Sequence, residues 1–169
     1  MLCIGIEVMG GSILNATTGT LLFLFPVING VSGNIGSVLG ARLSSGIHVG
    51  SVEIRRGDKL FTQNVRGAIL LGMAIFAMLS VAIALGYYLL SLVDSGGFVM
   101  IFLWVLLSGV LTTVGVVGVA ISCSGLSVRY KLDPDDVVIP LVTTIGDFLG
   151  IAILLGVAIL LNIGKLMGS

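Results

Sequence analysis

Between Glu7 and Arg42 the chain runs through 34 residues without a charge. A single crossing of a bilayer's hydrocarbon core needs about 20 apolar residues. The other charges fall in tight groups that leave long apolar stretches between them. Glu53, Arg55, Arg56, Asp58, Lys59 and Arg66 form one group, and Arg129, Lys131, Asp133, Asp135 and Asp136 form another. Asp94 stands alone between the groups, while Asp147 and Lys165 are the last charges. Hydrophobic residues make up 57% of the chain and charged residues only 9%, where a soluble domain carries about 25%. With so little polar surface the chain cannot be covered in water. It is an integral membrane protein by composition.

The 169 residues suffice for one domain of four or five spans. Lys+Arg and Asp+Glu balance at 8 each, which gives no basic surplus for nucleic acid. Cys3 and Cys123 are too few for a disulfide framework and sit in apolar surroundings, as small buried hydrophobes do. His48 is the only histidine, so a zinc or copper site has no ligand set. It is expected at the membrane–water border. Neither a phosphate-binding G-x-x-x-x-G-K-[ST] loop nor an H-E-x-x-H occurs. The expectation is a protein that is not an enzyme, needs no organic cofactor and cannot hydrolyse ATP.

Four complete spans are expected, at about 19–45, 65–92, 98–123 and 137–164. Tyr87 and Tyr88 anchor the second at the interface, and Asp94-Ser95-Gly96-Gly97 turns the chain into the third. Residues 122–136 read as a loop. Pro26 lies inside the first span, followed by Asn29-Gly30 and Ser32-Gly33-Asn34, so a kinked, irregular helix is expected there. Pro140 falls near the first turn of the last span, where its missing N–H costs little. Met1 opens on apolar sequence with no basic n-region, so no signal peptide is expected. Leu2 to about Leu14 reads as the remnant of a truncated first helix or as a short interfacial one. The basic loops around Arg55 and Arg129 face the cytoplasm by the positive-inside rule, and Asp94 faces outward. The expected location is the cell membrane, with several passes.

Asp147 carries the chemistry. A carboxylate deep in hydrocarbon costs about 2.5–3.5 kcal/mol on insertion scales. The basic residues all lie in loops or at span ends. Such an acid calls for a cation, a proton or a wet pathway; the structural alternative is an acid protonated or hydrogen-bonded across a helix contact. Thr143 and Thr144, one turn earlier, add hydroxyl oxygens. One carboxylate, hydroxyls and carbonyls suit a hard cation, and Mg²⁺ in particular keeps part of its water shell. Asn34 offers an amide oxygen amid small residues, as pore lining or as a hydrogen bond between helices. Arg42 either snorkels to headgroups or pairs with the acidic group. Asp133, Asp135 and Asp136 suit a helix N-terminus and also a cation-gathering cytoplasmic mouth. The Gly33-x-x-Gly36 and Gly115-x-x-Gly118 spacings read as helix-packing signals.

Two segments resemble signatures of the MgtE-type divalent cation transporters and their solute-carrier relatives. The first is Pro26-Val-Ile-Asn-Gly-Val-Ser-Gly-Asn34-Ile-Gly-Ser-Val-Leu-Gly-Ala-Arg42-Leu-Ser. The second is Asp133-Pro-Asp-Asp-Val-Val-Ile-Pro140-Leu-Val-Thr143-Thr144-Ile-Gly-Asp147-Phe-Leu-Gly150. The resemblance implies an all-α, polytopic membrane helix bundle of the MgtE transmembrane-domain type. It also implies a two-fold dimer, of identical or related chains, with a magnesium-selective pore between subunits. Asp147 falls on the family's central ion-binding acid, and Gly33 and Asn34 on its pore segment, with Pro26, Gly36, Pro140 and Gly150 around them. Val38 stands where bacterial members usually have glutamine, and Arg42 is placed as in the solute-carrier members. The resemblance does not extend to the regulatory cytoplasmic region of bacterial members. Mg²⁺/Na⁺ or Mg²⁺/H⁺ exchange, and a non-transporting subunit of a larger carrier, are the alternatives to a pore.

Overall fold

The computed structural model describes the backbone of residues 19–52, 58–130 and 134–161, with the side chains of 24–52, 58–130 and 137–161. Four helices account for nearly all of it: α1 (Gly19–His48), α2 (Lys59–Leu89), α3 (Ser95–Tyr130) and α4 (Pro134–Leu160). Each is long and apolar enough to cross a membrane. The segment 2–14, read as a first-helix remnant, lies outside the described residues.

Aspartates start two of the helices. Asp58 has extended backbone and accepts the Phe61 N–H at 2.9 Å, capping α2 six residues ahead of the expected Val65. Asp94 accepts the Gly97 N–H at 2.8 Å and caps α3. The five residues between α2 and α3 include Ser91 at φ 55, a left-handed position that closes the turn. Pro134 opens α4, where a proline leaves no bond unmade. Pro140 is therefore the seventh residue of α4 rather than part of its first turn. It deprives the Asp136 carbonyl of its helical donor. Helix α1 runs on through Pro26 and its glycines without a break.

Helix α3 also departs from expectation, because it continues through 122–130 where a loop was read. Cys123, Ser124 and Ser127 are buried on one face, and the Ser124 hydroxyl lies 2.7 Å from the Ala120 carbonyl and 3.1 Å from the Gly40 carbonyl of α1. Ser124 and Ser127, two of the polar residues that suggested a loop, are thus turned inward, while Ser122, Arg129 and Tyr130 stay exposed.

Helix α3 packs against α1, α2 and α4, and α1 packs against α4. Helix α2 rests mainly on α3 and is the least buried of the four. Its glycine and aromatic contacts alternate: Gly72 takes Thr113 of α3, and Gly109 of α3 takes the Phe76 ring. Large apolar side chains point outward along α2 and α3, among them Leu70, Met78, Val81, Leu107 and Leu111, as lipid contact requires.

The interior has two apolar clusters. One, nearer the α2–α3 turn, gathers Leu24, Phe25, Ile28, Phe76, Ile101, Trp104, Val105 and Leu154. The Trp104 indole N–H donates to the Leu154 carbonyl at 3.1 Å. The other, nearer the α1–α2 connection, gathers Leu39, Leu43, Val116, Val117, Ala120, Val138 and Val142. On each of α1, α3 and α4 the residues between these clusters include buried polar ones. They are Asn29 and Ser32 on α1, Ser108, Thr112 and Thr113 on α3, and Asp147 on α4. A polar belt therefore divides the core at mid-height.

Candidate functional site: a buried carboxylate between α1 and α4

Asp147 lies 13 residues from each end of α4, about 20 Å from either terminus at 1.5 Å per residue. It is only 6% exposed, so it faces protein rather than lipid. Helices α1 and α4 run antiparallel in a register set by close contacts. A Cβ on Gly40 would press on Val138, one on Gly36 on Val116 and Val142, and one on Gly150 on the Asn29 amide. At Asp147 itself, Asn29 Nδ2 donates to the backbone carbonyl at 3.1 Å.

Gly36 and Gly150 thus sit at close contacts within the chain. Gly33, Gly115 and Gly118 do not. A Cβ on Gly33 or Gly118 would meet nothing within 4 Å, and on Gly115 only ordinary contacts. Those two spacings are not contact motifs here, because the neighbouring helix approaches the faces of Gly36 and Gly109 instead.

Thr143 and Thr144 are half-buried beside Asp147 on α4. The Thr143 hydroxyl is within reach of the Ile139 and Pro140 carbonyls, at 3.1 and 3.0 Å. Pro140 itself is exposed, as is Pro26 on α1. Asn34 does not meet Asp147. It is exposed, about 140° around α1 from Asn29 at 100° per residue, and lines a groove against α2. The α1–α4 register nevertheless sets Asn34 at nearly the height of Thr144 and Asp147. The side chains of Asp133, Asp135 and Asp136, read as a cytoplasmic mouth, lie outside the described residues.

Sequence reasoning passed over Asn29, Ser32 and Ser108. Among the described residues, Asn29 Oδ1, Ser32 Oγ and Ser108 Oγ are buried without a hydrogen-bond partner. Asn29 gave a signal, a polar residue one turn after Pro26, but it reads there as part of an irregular stretch. Among the described residues no group of three or more His, Cys, Asp or Glu side chains could hold a metal ion. Among the described residues, a cation at mid-height would meet one carboxylate amid neutral oxygens.

Four apolar helices with, among the described residues, one acid buried at mid-height define a polytopic membrane helix bundle. Residues 25–157 match the MgtE family, described as divalent cation transporter, and the chain belongs to that family. No curated protein and no solved structure matches it. It is a multi-pass integral membrane protein of the all-α MgtE type. Its business is the transport of divalent cations, not catalysis.

Proposed function

We propose that the chain passes Mg²⁺ across the membrane through a pore at a two-fold dimer interface, with Asp147 as the ligand that selects the ion. The observation that carries this reading is the burial of Asp147 at mid-span, in a belt whose Asn29, Ser32 and Ser108 oxygens have no partner among the described residues. Buried polar atoms are normally hydrogen-bonded, to ordered water where protein offers nothing. A wet belt beside a carboxylate is what a partly hydrated Mg²⁺ needs, since this ion gives up its water reluctantly.

Thr143 and Thr144 offer hydroxyl oxygens on the half-buried edge of α4. Pro26, Gly30, Gly33 and Ser37 give α1 a small-residue edge where a second copy could approach. That approach would bring Asn34, at the same height, to the pathway. Asp133, Asp135 and Asp136 would gather cations at the cytoplasmic end. At 100 mV the membrane potential supplies about 4.6 kcal/mol per divalent ion, enough to drive entry without a coupled ion.

The test is Mg²⁺ uptake into proteoliposomes by the intact chain and by Asp147→Asn, without Na⁺ or proton gradients. The pore reading expects uptake by the intact chain and its loss in the variant. Uptake that requires a Na⁺ or proton gradient would replace the pore with an exchanger. Full uptake by Asp147→Asn would remove the acid from the mechanism.

A further inference from the structure

Helices α1 and α2 touch less than the other packed pairs, and a groove of about 580 Å³ opens between them. Its walls are apolar along Val31, Ile35 and Val38 of α1 and Leu71 and Ile75 of α2, with Asn34 the one polar side chain among them. Its polar end is formed by Arg42, Gln63 and Asn64. That end lies toward the α1–α2 connection, which the distribution of lysine and arginine assigns to the cytoplasmic face.

We propose that this groove seats an anionic phospholipid of the inner leaflet, with its phosphate at Arg42 and an acyl chain along Val38, Leu71 and Ile75. Length is the first reason. Arg42 and Val31 are 11 residues apart, about 16 Å along a helix, close to half of the ~30 Å hydrocarbon core. The groove therefore spans one leaflet, from headgroup depth to the bilayer middle.

Charge is the second reason. Arg42 is exposed, and none of the described carboxylates forms an ion pair with it. Lys59 and Arg66 are exposed on the same end of α2, whereas the Asp58 carboxylate there is engaged in capping the helix. Basic pockets between spans on the cytoplasmic side are suited to lipid phosphates. A helix from a second copy laid in the groove would have to set an acid of its own against Arg42, since burying that charge unpaired is strongly unfavourable. A lipid brings the anion and the apolar chain together. Gln63 and Asn64 add amide donors at phosphate and glycerol depth.

The inference does not depend on the transport reading and is tested by binding. The purified full chain in neutral detergent is titrated with phosphatidylglycerol and with phosphatidylcholine, and retained lipid is counted by native mass spectrometry. The expected preference for phosphatidylglycerol is about fivefold or more, the increment one basic residue gives near an anionic surface. Arg42→Gln should abolish the preference, and Leu71→Trp should reduce retention of both lipids by filling the apolar wall. Arg129→Gln, which removes a basic residue outside the groove, should leave the preference intact. Equal retention of the two lipids by the intact chain would overturn the proposal. So would phosphatidylglycerol retention unmoved by both groove variants, or a Leu71→Trp effect confined to oligomer mass, which would assign the groove to a second copy.

Discussion

The side-chain amide of Asn29 on α1 donates to the backbone carbonyl of Asp147 on α4 at 3.1 Å. The helix that carries the buried acid is thus tied to α1 through its main chain. Replacing Asn29 by Ala should lower stability by about 0.5–1.5 kcal/mol, the usual net worth of such a bond. Thermal unfolding in detergent would measure it. If the amide also fixes the height of Asp147, the variant should raise the Mg²⁺ concentration needed for half-maximal uptake in proteoliposomes.

Gly150 is the counterpart of Asn29, since any Cβ there would run into the amide. Gly150→Ala should destabilise the bundle by about 1–3 kcal/mol, as overpacking does. Adding Asn29→Ala to that variant should recover part of the loss. The non-additivity of the two substitutions in a double-mutant cycle is the measurement. Strict additivity would mean that the two side chains do not meet.

The same substitution should act with opposite sign at two other glycines. Gly36→Ala drives a methyl into Val116 and Val142, and a loss of about 1–3 kcal/mol is expected. Gly118→Ala meets nothing within 4 Å and should stabilise α3 by about 0.5–1 kcal/mol, the ordinary helical gain over glycine. Comparing the two melting curves in one detergent checks both signs.

Asp58→Ala removes the bond to the Phe61 N–H and should cost about 0.5–2 kcal/mol. Because α2 rests mainly on α3, the loss should appear first as faster amide exchange around residues 59–63. Asp58→Asn, which can still cap, should restore most of the protection.

Much of the architecture is legible in the spacing of charges, because each charged group marks where the chain leaves hydrocarbon. The ends of the helices are less so. Asp58 looks like one more loop charge until its carboxylate is seen on the Phe61 N–H, and Ser122 to Tyr130 looks like a loop because its polarity suggests water. A serine that bonds one turn back within its own helix satisfies itself, so Ser124 costs the membrane little. The place of Asp147 deep within a span is readable from its isolation among apolar residues. Its contact with Asn29 is not, since 118 residues separate them and only the α1–α4 register brings them together. That register depends on which glycines meet bulky neighbours, and the sequence marks Gly33 and Gly36 alike.

Helix α3 stands between α2 and α4 and touches both. It serves the bundle as a keel. A tilt of α4 about its glycine contacts reaches the lipid-facing wing mainly through α3 or α1, so the acid's surroundings can shift while α2 keeps its place in the bilayer.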